Sequence, residues 1–579
     1  MAKHCAHLRS AVSNLSSGAI ICTDIRATSI DENWRRGILR SMQSAGSLPD
    51  LDALNREALK ALIVAQQDQL RAKDEQLQSR EQEIEHLKLL IAQLRRMQFG
   101  RKSERLERQI EQLELKLENL QAERAEAVPV QRESLSETAG TATANKPGRR
   151  PLPAHLPRRI EKHEPKEQSC PQCGGALRHL SEDTSEVLEL IPTGFYVIRH
   201  VRPKLSCRDC ACIVQSPAPS RPIDRGLAGP GLLAHVLTAK YADHQPLYRQ
   251  AEVYARAGVE LDRSTLAEWV GQSSALLRPL VEALRVYVMK SEKLHADDTP
   301  VPVLAPGNGR TKTGRLWTYV RDDRPTGSRE APAVWYAYSP DHRGEHPQQH
   351  LKDFSGILQA DAYAGFNALY EDGRIQEAPC MAHIRRKFYD LLEAHRSPVA
   401  AEAIERIGQL YAIEEEIRGR PPDERREVRQ QRSRPLLDSL QAWLEATLPK
   451  LSRRSDTAVA VRYALGVWKA LSRYCDDGRI EIDNSAAERA LRAVVLGRRN
   501  YLFAGSDKGG ERAAAIYSLI GAAKLNGLDP ELYLREVLSR IADHPVNRIH
   551  ELLPWNLVPT QSPVSPSNNS LRRWLIPND

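Results

Sequence analysis

Three acidic residues define the chemistry open to this chain. Glu488 lies in IEIDNSAAERALR (480–492), inside a helical pattern that opens at Asp483 and Asn484, residue types suited to an N-cap. Asp297 lies in the strand-like KLHADDTPVPVL, and Asp361 closes the apolar run GILQAD. Carboxylates from separate elements that converge make a site for hard divalent cations. Any one of them alone would read as a solvated surface residue. Asp298 follows Asp297 directly and stays an alternative first carboxylate. Arg489 and Arg492 share the helical pattern with Glu488; they suit neutralisation of phosphate charge or ion pairing within the helix.

The elements around these residues must position them. In residues 291–395, strand-like runs surround Asp297 and recur at 314–323 and 333–340; a helix fits 345–354, and a buried strand ends in Asp361. Strands first, then alternating helix and strand, predict a mixed sheet with helices on its faces. CMAHIRRKFYDLL (380–392) starts a further helix. Its Cys380 and His383 form a CxxH pair, either half a metal site or a packing and orienting pair. Its Arg385, Arg386 and Lys387 face either DNA or solvent. A helical insertion (396–476), interrupted at Pro421-Pro422, separates Asp361 from Glu488 along the chain. SDKGGER lacks phosphate-loop spacing, and a helical pattern runs from Glu511. The tail 542–579, which includes ELLPWN, is expected to be loosely ordered.

A second constellation is made of thiols. Cys170-Pro-Gln-Cys173 and Cys207-Arg-Asp-Cys210 flank strand-like sequence, which predicts a zinc ribbon over 161–216 with one structural Zn²⁺; Cys212 is a spare thiol. Four thiolates leave no open position, so that metal is given a folding role. Residues 217–290 predict two helices and a short turn, resembling a helix-turn-helix. Gly258 would end the first helix, and Arg263, Ser264 and Thr265 would lead the second toward DNA; an ordinary helical pair fits the same pattern.

Upstream, 48–126 is rich in helix formers. Ile63, Leu70, Leu77, Ile84 and Ile91 recur every seventh residue, and Leu106, Ile110, Leu113, Leu117 and Leu120 alternate steps of four and three. The narrow seam predicts a coiled coil that brings chains together, with a hairpin packed on its own chain as the alternative. The break between its halves carries Arg101 and Lys102, placed to touch phosphates or to sit in a solvated turn. A basic, proline-rich linker fills 127–160. Residues 1–47 are an unassigned extension, and Met42 is an expected translation start.

Composition narrows the class. The 579 residues carry a formal net charge of +8, a mild bias toward polyanions. No apolar run is long enough to span a membrane, and the N-terminus lacks the apolar core of a secretion signal. Nine cysteines with two CxxC pairs indicate metal binding in a reducing compartment, so the expected location is cytoplasmic.

Together, HADDTPVPVL, LQADAYAGFNALY, CMAHIRRKF, IDNSAAERALR, RRNYLFAGSDKGGERAA and ELLPWN resemble the transposase of the insertion sequence 66 family, as do FGRKSERL, the paired CxxC and PLYRQAE…STLAEWV upstream. The resemblance covers about residues 50–557 and leaves 1–41 unmatched. It implies a multidomain α+β chain with an RNase-H-like catalytic domain over 291–541. It further implies an Asp-Asp-Glu triad at Asp297, Asp361 and Glu488, and two small accessory proteins encoded by the same element. The expected chemistry is hydrolysis and strand transfer at transposon ends with two Mg²⁺, replaceable by Mn²⁺, about 3.5–4 Å apart. The expected partners are terminal-repeat and target DNA and further copies of this chain. The competing reading is a zinc-ribbon and helix-turn-helix DNA-binding regulator with an inactive nuclease-like domain.

Overall fold

The computed structural model describes residues 56–97, 104–127, 151–191, 194–224, 226–304, 311–500 and 504–557. The expected start at Met42, the basic break with Arg101 and Lys102, and most of the linker lie outside them. The chain divides into two compact units, Met1–Ser79 and Arg80–Asp579. The described part of the first is helical throughout, as its Leu, Glu, Gln, Lys and Arg content favours.

Helix α1 (Arg56–Met97) runs from the first unit into the second, and helix α2 (Glu104–Ala127) follows it. In the second unit, Ile84 and Leu87 of α1 are buried against Leu113, Leu117 and Leu120 of α2. At Ile84 and Leu87 the seam closes within one chain, as in the hairpin alternative. The next long helix packs closely on α2 at Gly271, where a Cβ would collide with the Ala122 carbonyl oxygen.

The ribbon sheet comprises β1 (Arg158–Lys162), β2 (Leu177–Ile191), β3 (Gly194–Cys207) and β4 (Ile213–Gln215). Its order is β1-β3-β2, with β4 also on β3. β2 and β3 form one long antiparallel hairpin, whereas β1 runs parallel to β3. The linker therefore ends before 160: Arg158 already pairs with Val197. Arg158 also anchors the entering turn, its guanidinium donating to the carbonyl oxygens of Leu152, Pro153, Ala154 and Leu156.

Helices α3 (Pro230–Tyr241), α4 (Leu247–Arg256) and α5 (Arg263–Met289) follow. Gly258, at φ +79°, closes α4 as expected. The central sheet then forms from β5 (Lys293–Leu304), β6 (Thr311–Arg321), β7 (Ala333–Ser339), β8 (Gly356–Ala360) and β9 (Ile375–Pro379), in the order β7-β6-β5-β8-β9. β7, β6 and β5 are antiparallel neighbours; β5, β8 and β9 are parallel. Within this sheet, the five-residue β9 is the strand that the sequence pattern did not reveal.

Beyond it come α6 (Met381–His395), α7 (Pro398–Ile417), α8 (Arg434–Thr447) and α9 (Asp456–Gly466). Helix α6 and the helices of the insertion share a second core, built on Phe388, Ile407, Leu410, Leu440 and Val461. Helix α10 (Ser485–Asn500) carries Glu488, and α11 (Asp507–Leu525) and α12 (Pro530–Arg540) complete the fold.

Two expectations are corrected here. The SDKGGER glycines lie in the first turns of α11, capped by Ser506, whose Oγ accepts from Gly509 N at 3.0 Å. Side chains at Gly509 and Gly510 would collide with Asn119 and Tyr338, so these glycines serve close packing. The ELLPWN segment is anchored, not loose. Leu552 and Leu553 are buried in the main core, the Trp555 ring packs tilted against Tyr287 with centroids 4.2 Å apart, and Tyr533 Oη donates to Leu552 O at 3.0 Å.

Candidate active site

β5 and β8 run parallel with His295 opposite Gln359. Alternation along a strand returns every second residue to the same face. One step further in the same direction are Asp297 and Asp361, so both aspartates belong on one face, where β8 ends beside the middle of β5. Asp361 immediately follows β8, where its Oδ1 accepts from Tyr363 N at 3.2 Å. Asp298 belongs to the opposite face and is occupied: Arg315 Nη1 lies 2.9 Å and His342 Nε2 3.1 Å from its oxygens.

Glu488 reaches this region because the loop before α10 is fastened to both strands. The Asn484 side chain donates to Ala296 O at 2.7 Å, and its Oδ1 lies 3.1 Å from His295 Nδ1. Gln359 Nε2 donates to the carbonyl oxygens of Glu481 and Asp483, and its Oε1 accepts from Glu481 N at 3.1 Å. Asn484 also donates its backbone N–H to Cys380 Sγ at 3.1 Å, and Met381 N donates to Ile482 O. His295, Gln359 and Asn484 are essentially fully buried. Such buried polar groups hold a single arrangement only when all are satisfied. Asn484 thus has the N-cap position without the side-chain role of one; Asp483 Oδ1 accepts from Ser485 N instead.

The electrostatics register a concentration of negative charge. Burial first, then the carboxylates of Asp361, Asp298 and Glu488, push Asp297 up to about 7. Burial also raises Asp361, against the opposing pull of His383 and His342. Burial and the nearby Lys293 ammonium bring His295 down to about 3, so its ring is neutral at neutral pH. Glu488 has Oε1 4.0 Å from His383 Nδ1 and Oε2 4.0 Å from Arg386 Nη2. Glu488 Oε1 and His383 Nδ1 are both buried without a hydrogen-bond partner. Hard oxygen donors, a crowded negative charge and an unsatisfied Glu488 oxygen fit a divalent cation. Among the described residues, the tight cluster containing Glu488 is the one with Cys380 and His383, whose ligand atoms all lie within 4.8 Å; Asp297 and Asp361 stand outside that cluster.

The expected DNA contacts divide. Arg385, Arg386, Arg489 and Arg492 are exposed, and Arg385 and Arg386 line an open groove with Ala382, Tyr389, Gly408 and Tyr411. Arg263 is committed elsewhere: it pairs with Glu114 at 2.7 Å and with Glu118, both on α2, and lies over the Tyr248 ring. Ser264 and Thr265 are half-buried, and neighbouring Glu268 accepts from Arg124 of α2. The N-terminal end of α5 is therefore packed against α2, which does not fit a recognition helix free to enter a groove.

The four ribbon cysteines do meet. Cys170 Sγ is 3.4 Å from Cys210 Sγ, and Cys173 Sγ is 3.4 Å from both Cys207 and Cys210. The edge of a tetrahedron with 2.3 Å zinc–sulfur bonds is about 3.8 Å, so a small expansion admits the ion. Cys212 stays outside the cluster.

A four-cysteine ribbon joined to a mixed sheet, with two aspartates on one face of its parallel strands, fits a transposase-class protein. Family models agree: "Transposase IS66 family" matches residues 225–512, "Transposase C of IS166 homeodomain" 86–160, "zinc-finger binding domain of transposase IS66" 167–211 and "IS66 C-terminal element" 518–555. The chain belongs to the IS66 transposase family. Its similar relatives include uncharacterized protein y4hP of Sinorhizobium fredii (strain NBRC 101917 / NGR234), 42% identical over 459 residues, covering 75% of this chain and 83% of that protein. Uncharacterized protein y4qI of the same strain is 40% identical over 448 residues, covering 75% and 83%. The zinc-finger match and the thiolate cluster together make the ribbon a zinc-binding module. Among the described residues no helix is long and apolar enough to cross a membrane.

Proposed function

We propose that this chain is a DNA transposase of the Asp-Asp-Glu type, hydrolysing and rejoining phosphodiesters at insertion-sequence ends, with Asp297, Asp361 and Glu488 as its catalytic carboxylates. The observation that carries the reading is the coupling of three elements. Asp297 and Asp361 stand one step beyond the His295–Gln359 pair, and the loop leading to Glu488 is fastened to those same strands by Asn484 and Gln359. The sheet order, three antiparallel strands followed by two parallel ones, supports an RNase-H-like catalytic domain.

In this reading the three carboxylates would hold two Mg²⁺, which would supply an activated oxygen nucleophile and stabilisation of the leaving oxygen. The remaining work falls to the chain. Asn484 and Gln359 fix the distance between helix and sheet. Arg386, beside Glu488, and exposed Arg385, Arg489 and Arg492 attract and orient the phosphodiester backbone. Asp298, held by Arg315 and His342, braces β5 against β6 without entering the metal set.

The test is strand transfer on native end DNA with Mg²⁺, comparing wild type with Asp297→Asn, Asp361→Asn and Glu488→Gln. Each variant is expected to lose at least about 10³-fold in cleavage and joining while retaining its end footprint. Equal activity in all four proteins would reject the triad. A footprint without cleavage in the wild type would identify a DNA-binding regulator instead.

A further inference from the structure

The ribbon sheet carries a group of ligand-type side chains that neither the four-cysteine site nor the carboxylate site uses. β1 runs parallel to β3 with Glu161 opposite His200. His163 lies two residues beyond Glu161, on the same face by alternation, and its N–H continues the pairing by donating to Val201 O at 2.8 Å. His163 Nε2 stands 3.0 Å from His200 Nδ1, and Glu161 Oε2 stands 3.5 Å from the same nitrogen. Ligand atoms of all three residues lie within 4.8 Å of one another.

The spacing matches coordination. For zinc bonded to nitrogen or oxygen at about 2.0–2.1 Å, neighbouring tetrahedral ligands are about 3.3 Å apart. The two separations fall on either side of that value. Two imidazole nitrogens face each other, so in the metal-free state one must donate and the other accept. An ion between them uses both lone pairs, with the ring protons on His163 Nδ1 and His200 Nε2. Two imidazoles and a carboxylate suit a borderline divalent ion such as Zn²⁺, in contrast to the all-oxygen sets preferred by Mg²⁺ and Ca²⁺. The site is also reachable: Glu161 and His163 are half-buried, while His200 forms its floor at 11% side-chain exposure.

We propose that Glu161, His163 and His200 form a second zinc site on the ribbon, with three protein ligands and one open position. Its consequence is mechanical. β1 is a five-residue strand attached to the sheet by one parallel pairing. An ion shared by β1 and β3 fastens the point at which the chain enters the ribbon.

The experiment uses the full chain without a histidine tag, saturated with Zn²⁺. It is then freed of loose ion by gel filtration and counted by elemental analysis. The expected content is one zinc ion per chain less in His163→Ala/His200→Ala than in the wild type, a difference that zinc held at Cys380, His383 and Glu488 leaves unchanged. Cobalt substitution reports the fold of the variant: the near-ultraviolet thiolate-to-cobalt band of the cysteine site should be unchanged while one equivalent of cobalt is lost. Glu161→Gln, which preserves shape, should weaken the second equivalent at least about tenfold and leave the first intact. Equal zinc content in the wild type and the double variant, or an unaltered zinc affinity in Glu161→Gln, would each overturn the assignment.

Discussion

At the scale of residues, the site rests on pairs two positions apart. His295 and Asp297 share a face of β5, and Gln359 and Asp361 share a face at β8; the first of each pair is a buried tether and the second a carboxylate. Asp361 is legible in the sequence because it closes an apolar run; Asp297 and Glu488 stand out through the family resemblance of the segments around them. The tethers are not legible, because a polar residue inside such a run gives no sign of its partner. Asn484 is the clearest case: its type and place suggested a cap, but its side chain answers to a strand almost two hundred residues away. Asn484→Ala would leave Ala296 O and His295 Nδ1 buried and unpaired. It is expected to cost about 2–3 kcal/mol in urea unfolding. Asp297 makes a second prediction. Its folded value near 7 stands above the unfolded value of about 3.9, so the folded state binds more protons between those limits. Stability from this group is therefore present at low pH and lost as pH rises from about 4 through 7. In EDTA, wild type should lose stability relative to Asp297→Asn between about pH 4 and 7, at up to about 1.4 kcal/mol per pH unit. Added Mg²⁺ should flatten the difference. A difference independent of pH would show that Asp297 is not in the crowded carboxylate environment described.

At the scale of elements, the helical insertion does more than separate Asp361 from Glu488 in sequence. Its basic run reads as one block, but the fold divides it. Arg426 and Arg432 are about half exposed, whereas Arg425 and Arg429 are buried. Arg429 pairs with Glu414 at 2.6 Å and donates to Tyr474 O at 2.7 Å. Arg425 lies 2.8 Å from Glu481, whose backbone is bonded to Gln359. The insertion therefore grips the loop that presents Glu488. No pattern in the sequence distinguishes these arginines from their neighbours, because the acids that bury them come from other elements. Arg425→Met would leave the Glu481 charge buried without its partner, a loss of about 3–5 kcal/mol in urea unfolding. Arg425→Met/Glu481→Gln should recover a substantial part of it, whereas additive losses would show that the pair does not interact.

At the scale of the whole molecule, the segments that the sequence separates into modules share one core. Ala122 of α2, Leu188 and Val197 of the ribbon, Leu266 of α5, Trp317 of the central sheet, Ile516 of α11 and Leu552 near the C-terminus belong to one buried cluster. Composition shifts suggested beads on a string, since a linker and a zinc motif look self-contained; the apolar residues that join them are spread too thinly for their common burial to be read from the sequence. The ribbon hairpin is therefore held at two ends by different physics. Near its turn, Leu188, Phe195 and Val197 pack into the shared core, and Glu189 accepts from the backbone N–H groups of Gly231 and Leu232 at the start of α3. At the other end, Leu177 pairs with Cys207, beside the zinc thiolates. Stripping zinc with a strong chelator removes the second anchor and leaves the first. Hydrogen exchange should then accelerate in 169–183 and 203–215 but stay slow in 187–190 and 195–198. Loss of protection along the entire hairpin would mean that zinc, and not the apolar docking near the turn, holds the ribbon on the molecule.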